Sequence, residues 1–297
     1  MKLRRIFVFL LISTVAIAAA AVTIGTPQVR PETSTNGPAI VLGSPTRLLI
    51  AWTGTPNLQL NFQRRISGAW QAKVTLGETS SAAPALAFFN GRYYVAWTGT
   101  NAAHNLNVMS SADGMNWGGK VTLGDTSPSS PALAVFAGSL YLGWRGGTDQ
   151  LNVISTTNGT TWGGKVTLAE TTTSGPALAA TTAQLLIAWR GVSNNQLNVI
   201  RGNGSVFGDK VTLGDTTTDR PALVIRGSEV ILAWQGVSNN QLNTIMSTTG
   251  GASFGGKVTS GQTSGDGPAL AATGEIGVIA WTGTNAEHNL NVAALGP

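Results

Sequence analysis

Polar side chains that could bind a ligand recur directly before a Leu-Asn pair, at the same point of a repeated sequence pattern. Every copy but the first places two such residues there, a histidine, aspartate or asparagine followed by a carboxamide. The residues are His104, Asn105, Asp149, Gln150, Asn195, Gln196, Asn240, Gln241, His288 and Asn289. These side chains offer hydrogen-bond donors and acceptors close to an aromatic residue, a combination that suits hydroxyl-rich ligands such as sugars.

Arginines near the same points of the pattern could add an anion site. Arg145 and Arg190 directly follow the recurring tryptophan, and Arg220 directly precedes a recurring proline. A guanidinium group forms paired hydrogen bonds with a carboxylate. We therefore include Arg145, Arg190 and Arg220 among the candidate ligand-binding residues.

The sequence offers no convincing catalytic group. Its three tyrosines, Tyr93, Tyr94 and Tyr141, lie inside apolar runs, where a role in the core is expected. We find no Ser-His-Asp order, no phosphate-binding loop and no metal-ligand cluster, and the chain has no cysteine. We therefore assign no catalytic residue, metal or cofactor.

A repeat of 45 to 47 residues positions all these groups. Proline begins an apolar run at Pro38, Pro84, Pro131, Pro176, Pro221 and Pro268. Tryptophan ends the next run at Trp52, Trp97, Trp144, Trp189, Trp234 and Trp281. Four strand-like runs separated by turn residues fill each repeat, which predicts an all-β fold, a six-bladed β-propeller of four-stranded antiparallel blades. We label the four strands A to D, and the Leu-Asn run is strand C.

The last repeat ends after strand C, and an extra element precedes the first repeat. Glu32 lies six residues before Pro38, as the acids Glu78, Asp125, Glu170 and Asp215 do before their prolines. Residues near 28–30 should therefore supply strand D of the sixth blade and close the ring, which removes an exposed sheet edge.

The first 21 residues form a separate segment. Lys2, Arg4 and Arg5 precede an apolar stretch that ends in alanines, a pattern typical of a secretory signal peptide. An uncleaved membrane anchor is the alternative, and only then is a membrane a partner. We expect residues 22–297 to form the propeller, secreted and extracellular, or periplasmic or anchored at the cell surface. Without those three charges the net charge falls from +5 to +2, and nucleic acid is not an expected partner.

The turns between strands C and D read SSADGMNW (110–117), STTNGTTW (155–162) and STTGGASF (247–254). They resemble the Asp-box, S-x-D-x-G-x-T-W, of sialidase-like propellers, although Ala112, Thr157 and Thr249 stand in the place of the aspartate. This resemblance implies the propeller fold and places the turns on the face opposite the ligand site. It also raises a sialidase-like glycoside hydrolase as an alternative, but the arginine, tyrosine and acid signature of those enzymes is not matched.

Structural roles compete with ligand binding at several positions. The tryptophans are expected to fill space between blades, and the acid–Thr pairs before the prolines to cap their own turns. The strand C asparagines are poor strand formers, so their recurrence suggests a buried hydrogen bond to a neighbouring strand.

The sequence favours a secreted, non-catalytic, lectin-like β-propeller that binds glycans or cell-surface glycoconjugates through the loops at one end. A sialidase-like hydrolase and an extracellular protein-binding scaffold remain the alternatives. The sequence does not identify the ligand.

Overall fold

The computed structural model describes residues 21–297, and this part of the chain contains 26 β-strands and no helix. The predicted signal peptide lies almost wholly outside the described residues. Within residues 21–297 there is no helix that is long and apolar enough to span a membrane.

The strands form six antiparallel sheets, each of four strand positions, A to D. The N-terminal strands are β1 (Thr23–Ile24) and β2 (Gln28–Thr33). The first blade contains β3 (Ala39–Ser44), β4 (Arg47–Thr53), β5 (Gln59–Ile66), β6 (Ala69–Trp70) and β7 (Val74–Thr79). The second contains β8 (Ala85–Phe89), β9 (Arg92–Thr98), β10 (Asn105–Ser111) and β11 (Gly118–Thr126).

The remaining blades repeat this order. The third contains β12 (Ala132–Phe136), β13 (Ser139–Arg145), β14 (Gln150–Thr156) and β15 (Gly163–Thr171). The fourth contains β16 (Ala177–Ala180), β17 (Leu185–Arg190), β18 (Gln196–Gly202) and β19 (Phe207–Thr216). The fifth contains β20 (Ala222–Arg226), β21 (Glu229–Gln235), β22 (Gln241–Ser247) and β23 (Gly255–Thr263). The sixth contains β24 (Ala269–Thr273), β25 (Ile276–Thr282) and β26 (Asn289–Gly296).

The innermost strands contact one another in a closed circuit, so the predicted six-bladed β-propeller is confirmed. The N-terminal strand β2 completes the sixth blade, because Gln28 pairs with Val292 and Val29 pairs with Asn291 of β26. The short strand β1 extends the same edge, since Thr23 pairs with Gly296. Ring closure by the N-terminal segment is therefore confirmed.

Apolar side chains fill the six joints between neighbouring blades. Each joint holds its own cluster of buried residues, and each cluster contains one of the recurring tryptophans. These six indole rings are at most 2% exposed. The expectation that they fill the space between blades is confirmed.

The strand C asparagines are also structural. Asn152 is buried, donates from Nδ2 to the Gln150 carbonyl (2.9 Å) and accepts from the Thr167 hydroxyl of strand D (2.6 Å). The equivalent asparagines of the other blades are likewise buried and make the same bond to their own strand. The predicted buried hydrogen bond to a neighbouring strand is confirmed for the first five blades.

Candidate functional site

A bulge in strand D brings a polar side chain of each blade to the joint with the next blade. In the second blade Asn105 pairs with Thr126 but Asn107 pairs with Thr122, so strand D carries two extra residues there. The other five blades have the same interruption. A bulge re-aims side chains out of the regular alternation of a strand. Asp125 lies in this bulge and reaches the third blade.

The bulge acids meet lysines of the following blade. Lys120 Nζ lies 2.6 Å from Glu78 Oε2 and 5.6 Å from the centroid of the Trp97 ring. The same arrangement joins Lys165 with Asp125, Lys210 with Glu170, and Lys257 with Asp215. In these three as well, the ammonium lies over the local tryptophan, at 5.2–5.5 Å. An ion pair and a cation–π contact therefore hold each lysine above an indole ring.

These acids do not cap their own turns, so that expectation was wrong. The next residue but one performs the capping. Ser127 and its equivalents are buried, and their hydroxyl oxygens bond to backbone groups two residues later. This leaves the acid free to point across the joint.

The first of these lysine–acid pairs borders a cleft at the end of the propeller that carries the B–C and D–A loops, which we call the cleft end. Between the first and second blades the cleft measures about 300 Å³, and Trp97, Asn105 and Asn107 line it with Lys120 and Glu78. Between the sixth and first blades it measures about 470 Å³. Both volumes fall within the range of small-molecule sites.

The wider cleft lacks the closing ion pair. Glu32 pairs with Arg30 of its own strand, at 3.3 Å, and Lys73 is exposed on the opposite wall. Trp52 and Asn61 line this cleft as Trp97 and Asn107 line its neighbour.

The joint between the fifth and sixth blades has neither charge. Gln262 replaces the acid, and the pairing of Val29 with Asn291 places Pro27 where the other blades have lysine. The backbone bulge is nevertheless present in the sixth blade. The lysine and the acid are thus lost together at one joint, and the fold tolerates their loss.

Five of the sequence-predicted ligand residues have a backbone role. His104, Asp149, Asn195, Asn240 and His288 end the loops between strands B and C with φ values of 54–66°. Asn, Asp and His tolerate this left-handed conformation better than most residues. Their carbonyls accept the N–H groups of the loops between strands D and A. The backbone alone accounts for these residue types.

The neighbouring carboxamides brace the same loops. Asn105 Oδ1 accepts from Asn101 Nδ2 at 2.7 Å, and Gln150 Oε1 accepts from the Thr148 hydroxyl at 3.2 Å. Gln196, Gln241 and Asn289 are held by an asparagine of their own loop in the same way. These groups remain partly exposed at the cleft end. Ligand binding by them stays a prediction.

Two of the three candidate arginines bind loop groups at the cleft end. Arg145 pairs with Asp149 of its own loop, through Nη2 and Oδ1 at 2.5 Å. Arg190 donates to the Thr218 carbonyl and to the Thr173 hydroxyl, which links loops of different blades. The two guanidinium groups bind different loop groups, so the suggested shared anion site stays a prediction.

The third candidate, Arg220, points inward and closes the cleft end of the central channel. Its guanidinium donates to the carbonyls of Pro38, Gly267 and Pro268, at 3.2, 2.9 and 3.1 Å. A Cβ on Gly37 would lie 2.3 Å from Arg220 Nη2. Arg220 has room because the residue before each of the other five prolines is Gly, Ala or Ser. The channel there measures about 80 Å³.

Asp266 lies beside this arginine, with Oδ1 3.6 Å from Arg220 Nε. Burial and the nearby charge of Asp219 raise the pKa of Asp266 to about 7, although the Arg220 charge opposes the shift. Five blade joins contain no such pair, since only one arginine precedes a recurring proline.

At the opposite end, which we call the turn end, polar side chains bond back to their own turns. Ser111 Oγ accepts from Gly114 N, and Asp113 Oδ1 accepts from Met115 N and Asn116 N, at 2.8–2.9 Å. Thr156 and Asn158 repeat this pattern in the third blade. The aromatic residues that end these turns, Trp117, Trp162, Phe207 and Phe254, pack into the blade joints.

The tyrosines also belong to the turn end. Tyr93 and Tyr94 are buried, as expected, and the Tyr94 and Tyr141 hydroxyls lie against the turn glycines Gly159 and Gly204. Arg145 and Arg190 lie at the other end, so no tyrosine accompanies them.

Several solved structures similar to this chain share the six-bladed ring. A fungal lectin from Aleuria aurantia, described with a novel fucose recognition mode, is 11% identical with a TM-score of 0.66, over 90% of this chain and 97% of the lectin. The SapL1 lectin in complex with alpha methyl fucoside is 15% identical with a TM-score of 0.64, over 89% and 94%. The NanB sialidase from Streptococcus pneumoniae is 10% identical with a TM-score of 0.65, over 90% of this chain and 69% of the enzyme.

No protein-family model matches the sequence, and no curated protein matches it. At these identities the structural likeness shows the fold alone. The molecule is a six-bladed β-propeller of the architecture that these lectins and sialidases share.

Proposed function

We propose that this protein is a non-catalytic, lectin-like propeller that binds glycans in the clefts between its blades. One observation carries the proposal: a lysine and an acid recur beside the tryptophan and the strand C asparagine at five joints of the ring, and a cleft lies beside them at two of these joints. Carboxylate, ammonium and amide groups provide the donors and acceptors that sugar hydroxyls need.

The blade joint forms without the lysine and the acid. The joint between the fifth and sixth blades retains the tryptophan and the strand C asparagine but has Gln262 and Pro27 in place of the charges. Exposed ion pairs contribute only about 0–1 kcal/mol to stability. A ligand could therefore open the lysine–acid pair and replace its hydrogen bonds at low cost.

Repetition suits a multivalent ligand. Weak sites spaced around one ring bind a branched or clustered glycan with an avidity well above the affinity of one site. The SapL1 lectin was solved in complex with a fucoside, and the Aleuria aurantia lectin has a novel fucose recognition mode. Fucosylated glycans are therefore the first to test.

A glycan array probed with residues 22–297 tests the proposal, followed by titration with any glycan that binds. The variant for comparison combines Asp125→Asn, Glu170→Gln and Asp215→Asn. We expect this variant to melt within a few degrees of the wild type and to bind at least tenfold more weakly. Asp209→Asn, an exposed acid at the turn end, is the matched control and should bind normally. An array without binding, or full binding by the triple variant, would reject the cleft as a glycan site.

The alternative of a sialidase-like hydrolase finds less support in the geometry. The tyrosines lie at the turn end, away from Arg145 and Arg190. Turnover of a fluorogenic sialoside would support the hydrolase. No glycan binding on the array and no sialoside turnover would favour the protein-binding scaffold.

We also propose that the protein is secreted and that residues 1–21 are removed. The described fold uses the chain from Val22, which is buried and whose carbonyl accepts from the Thr244 hydroxyl at 2.5 Å. The intact mass of protein recovered outside the producing cells should correspond to residues 22–297. A mass that includes the N-terminal segment would favour the anchor.

A further inference from the structure

A second kind of cavity lies at the turn end, between the first and second blades, at the opposite end of the ring from the clefts. It measures about 160 Å³, and Arg47, Arg64, Tyr93 and Asp113 are its polar wall residues. A water molecule occupies about 30 Å³ in the liquid. The cavity is thus large enough for an anionic group of a few heavy atoms.

The two arginines bring positive charge that the protein does not neutralise by ion pairing. The ion pairs among residues 21–297 involve neither Arg47 nor Arg64. Arg64 Nη1 donates to the Asp113 carbonyl at 2.8 Å, whereas its Nε is buried without a partner among the described residues. A buried donor without an acceptor is costly, so an acceptor from a ligand would stabilise it.

The one carboxylate in the cavity wall, that of Asp113, already accepts hydrogen bonds from its own turn. Asp113 Oδ1 accepts from Asn116 N, Met115 N and Ser111 Oγ, and Oδ2 accepts from Asn116 Nδ2. The backbone N–H groups of Asn116 and Met115 hold the pKa of Asp113 well below its usual range. Asp113 stays charged, and the wall keeps one net positive charge from two arginines and one aspartate.

Two residues of the cavity wall, Arg64 and Tyr93, differ from the equivalent residues of most other blades. The residues in the position of Arg64 in the other blades are Ser110, Ser155, Arg201, Met246 and Ala294. Those in the position of Tyr93 are Leu48, Leu140, Leu185, Val230 and Gly277. The blade fold therefore requires neither side chain. Tyr93 also depends on Gly43, where a Cβ would lie 2.3 Å from its hydroxyl oxygen.

We propose that this cavity binds a small oxyanion, a phosphate or a short carboxylate, through Arg64 and Arg47 with the Tyr93 hydroxyl as a further donor. Guanidinium groups bind such anions through charge-assisted, often paired hydrogen bonds. The inference is independent of the glycan proposal, because the site lies at the other end of the ring.

Calorimetric titration of residues 22–297 with sodium phosphate, and separately with sodium acetate, tests the site at constant ionic strength against sodium chloride. We expect saturable binding of at least one anion with one site per chain, and a rise in melting temperature with that anion. The two titrations distinguish a phosphate site from a carboxylate site.

Three variants locate the binding. Arg64→Met, which places there the residue that the fifth blade has, should weaken binding at least tenfold. Arg47→Gln changes an exposed residue and should weaken it without altering the melt. Arg92→Gln alters the equivalent arginine of the second blade, which donates to Ser110, and should bind as the wild type does. Absence of saturable binding of either anion, unchanged affinity in Arg64→Met, or equal losses in all three variants would overturn the proposal.

Discussion

The two ends of the propeller use similar polar residues in opposite ways. At the turn end, the side-chain oxygens of residues such as Asp113 and Asn158 accept hydrogen bonds from their own turn. At the cleft end, loop residues also satisfy their own backbone, but the charges at Asp125 and Lys165 reach across to another blade. The comparison teaches that a repeated polar residue is not a functional signal by itself. What separates the two ends is whether the side chain bonds within its own turn or to a neighbouring blade.

Opening the ring should affect both ends and give the largest effect. Deleting residues 22–31 removes β1 and most of β2, which exposes the edge of β26. We expect a large fall in melting temperature or aggregation, measured by circular dichroism and light scattering. Val29→Thr, which introduces the residue that the first five blades have at this position, is the control and should leave the melt nearly unchanged. An unaltered melt after the deletion would show that the N-terminal strands are dispensable.

At the turn end, Trp162→Ala should reduce stability without a direct effect on ligand binding. Trp162 packs against the cluster between the second and third blades, and removing such a side chain costs about 2–4 kcal/mol. Denaturant unfolding gives the free energy, and glycan titration of the folded fraction gives the affinity. Lost affinity in a folded Trp162→Ala protein would mean that the functional end has been assigned the wrong way round.

Between the ends, the strand C asparagines should have an intermediate effect. Asn152→Leu removes the hydrogen bonds to the Thr167 hydroxyl and to the Gln150 carbonyl, which keeps its bond from Gly146 N. A lost hydrogen bond costs about 0.5–1.5 kcal/mol, so the two together should cost about 1–3 kcal/mol. Asn291→Leu should cost less, because Val29 stands opposite it and offers no hydroxyl. Equal costs at both positions, or no cost at Asn152, would contradict the role given to the hydrogen bond with strand D.

The smallest effect should come from the titration of Asp266 beside Arg220. Its raised pKa means that the folded protein binds this proton more tightly than the unfolded chain does. The stabilisation is therefore complete below the unfolded pKa of about 4 and is lost as the pH rises to about 7. Because the Asp266 side chain is 18% exposed, we expect water to limit this loss of stability. The melting temperature should fall by no more than a few degrees over this range, and Asp266→Asn should abolish the fall. A component of opposite sign, removed by the same variant, would show that attraction to Arg220 outweighs burial.

The sequence predicted the blade number, the strand order and the ring closure because tryptophan, proline and Leu-Asn recur in step. It also predicted that the tryptophans are buried between the blades. These features follow from local residue types, so a pattern along the chain is enough to find them.

The candidate site was harder to predict because its parts come from different repeats. The acids were recognised, but their lysine partners lie one blade further on, about 40 residues away in the chain. One signal in the sequence could have revealed the pairing. The fifth blade has Gln262 in place of the acid, and the next blade around the ring has Pro27 in place of the lysine. The inward direction of Arg220 was not predicted, because it depends on the small residues before the other five prolines, which belong to five other repeats.

The N-terminal closure also determines how the ring can open. At all six joints the chain runs on from strand D of one blade to strand A of the next, since β2 continues into β3. The one break in the chain lies inside the sixth blade, where β2 and β1 are joined to β26 by hydrogen bonds alone. Burial of Val22, just before β1, also holds the N-terminal segment in place. Detachment of the N-terminal strands from β26 is therefore the step that opens the ring. The lifetime of the closed ring depends on the rate of this step.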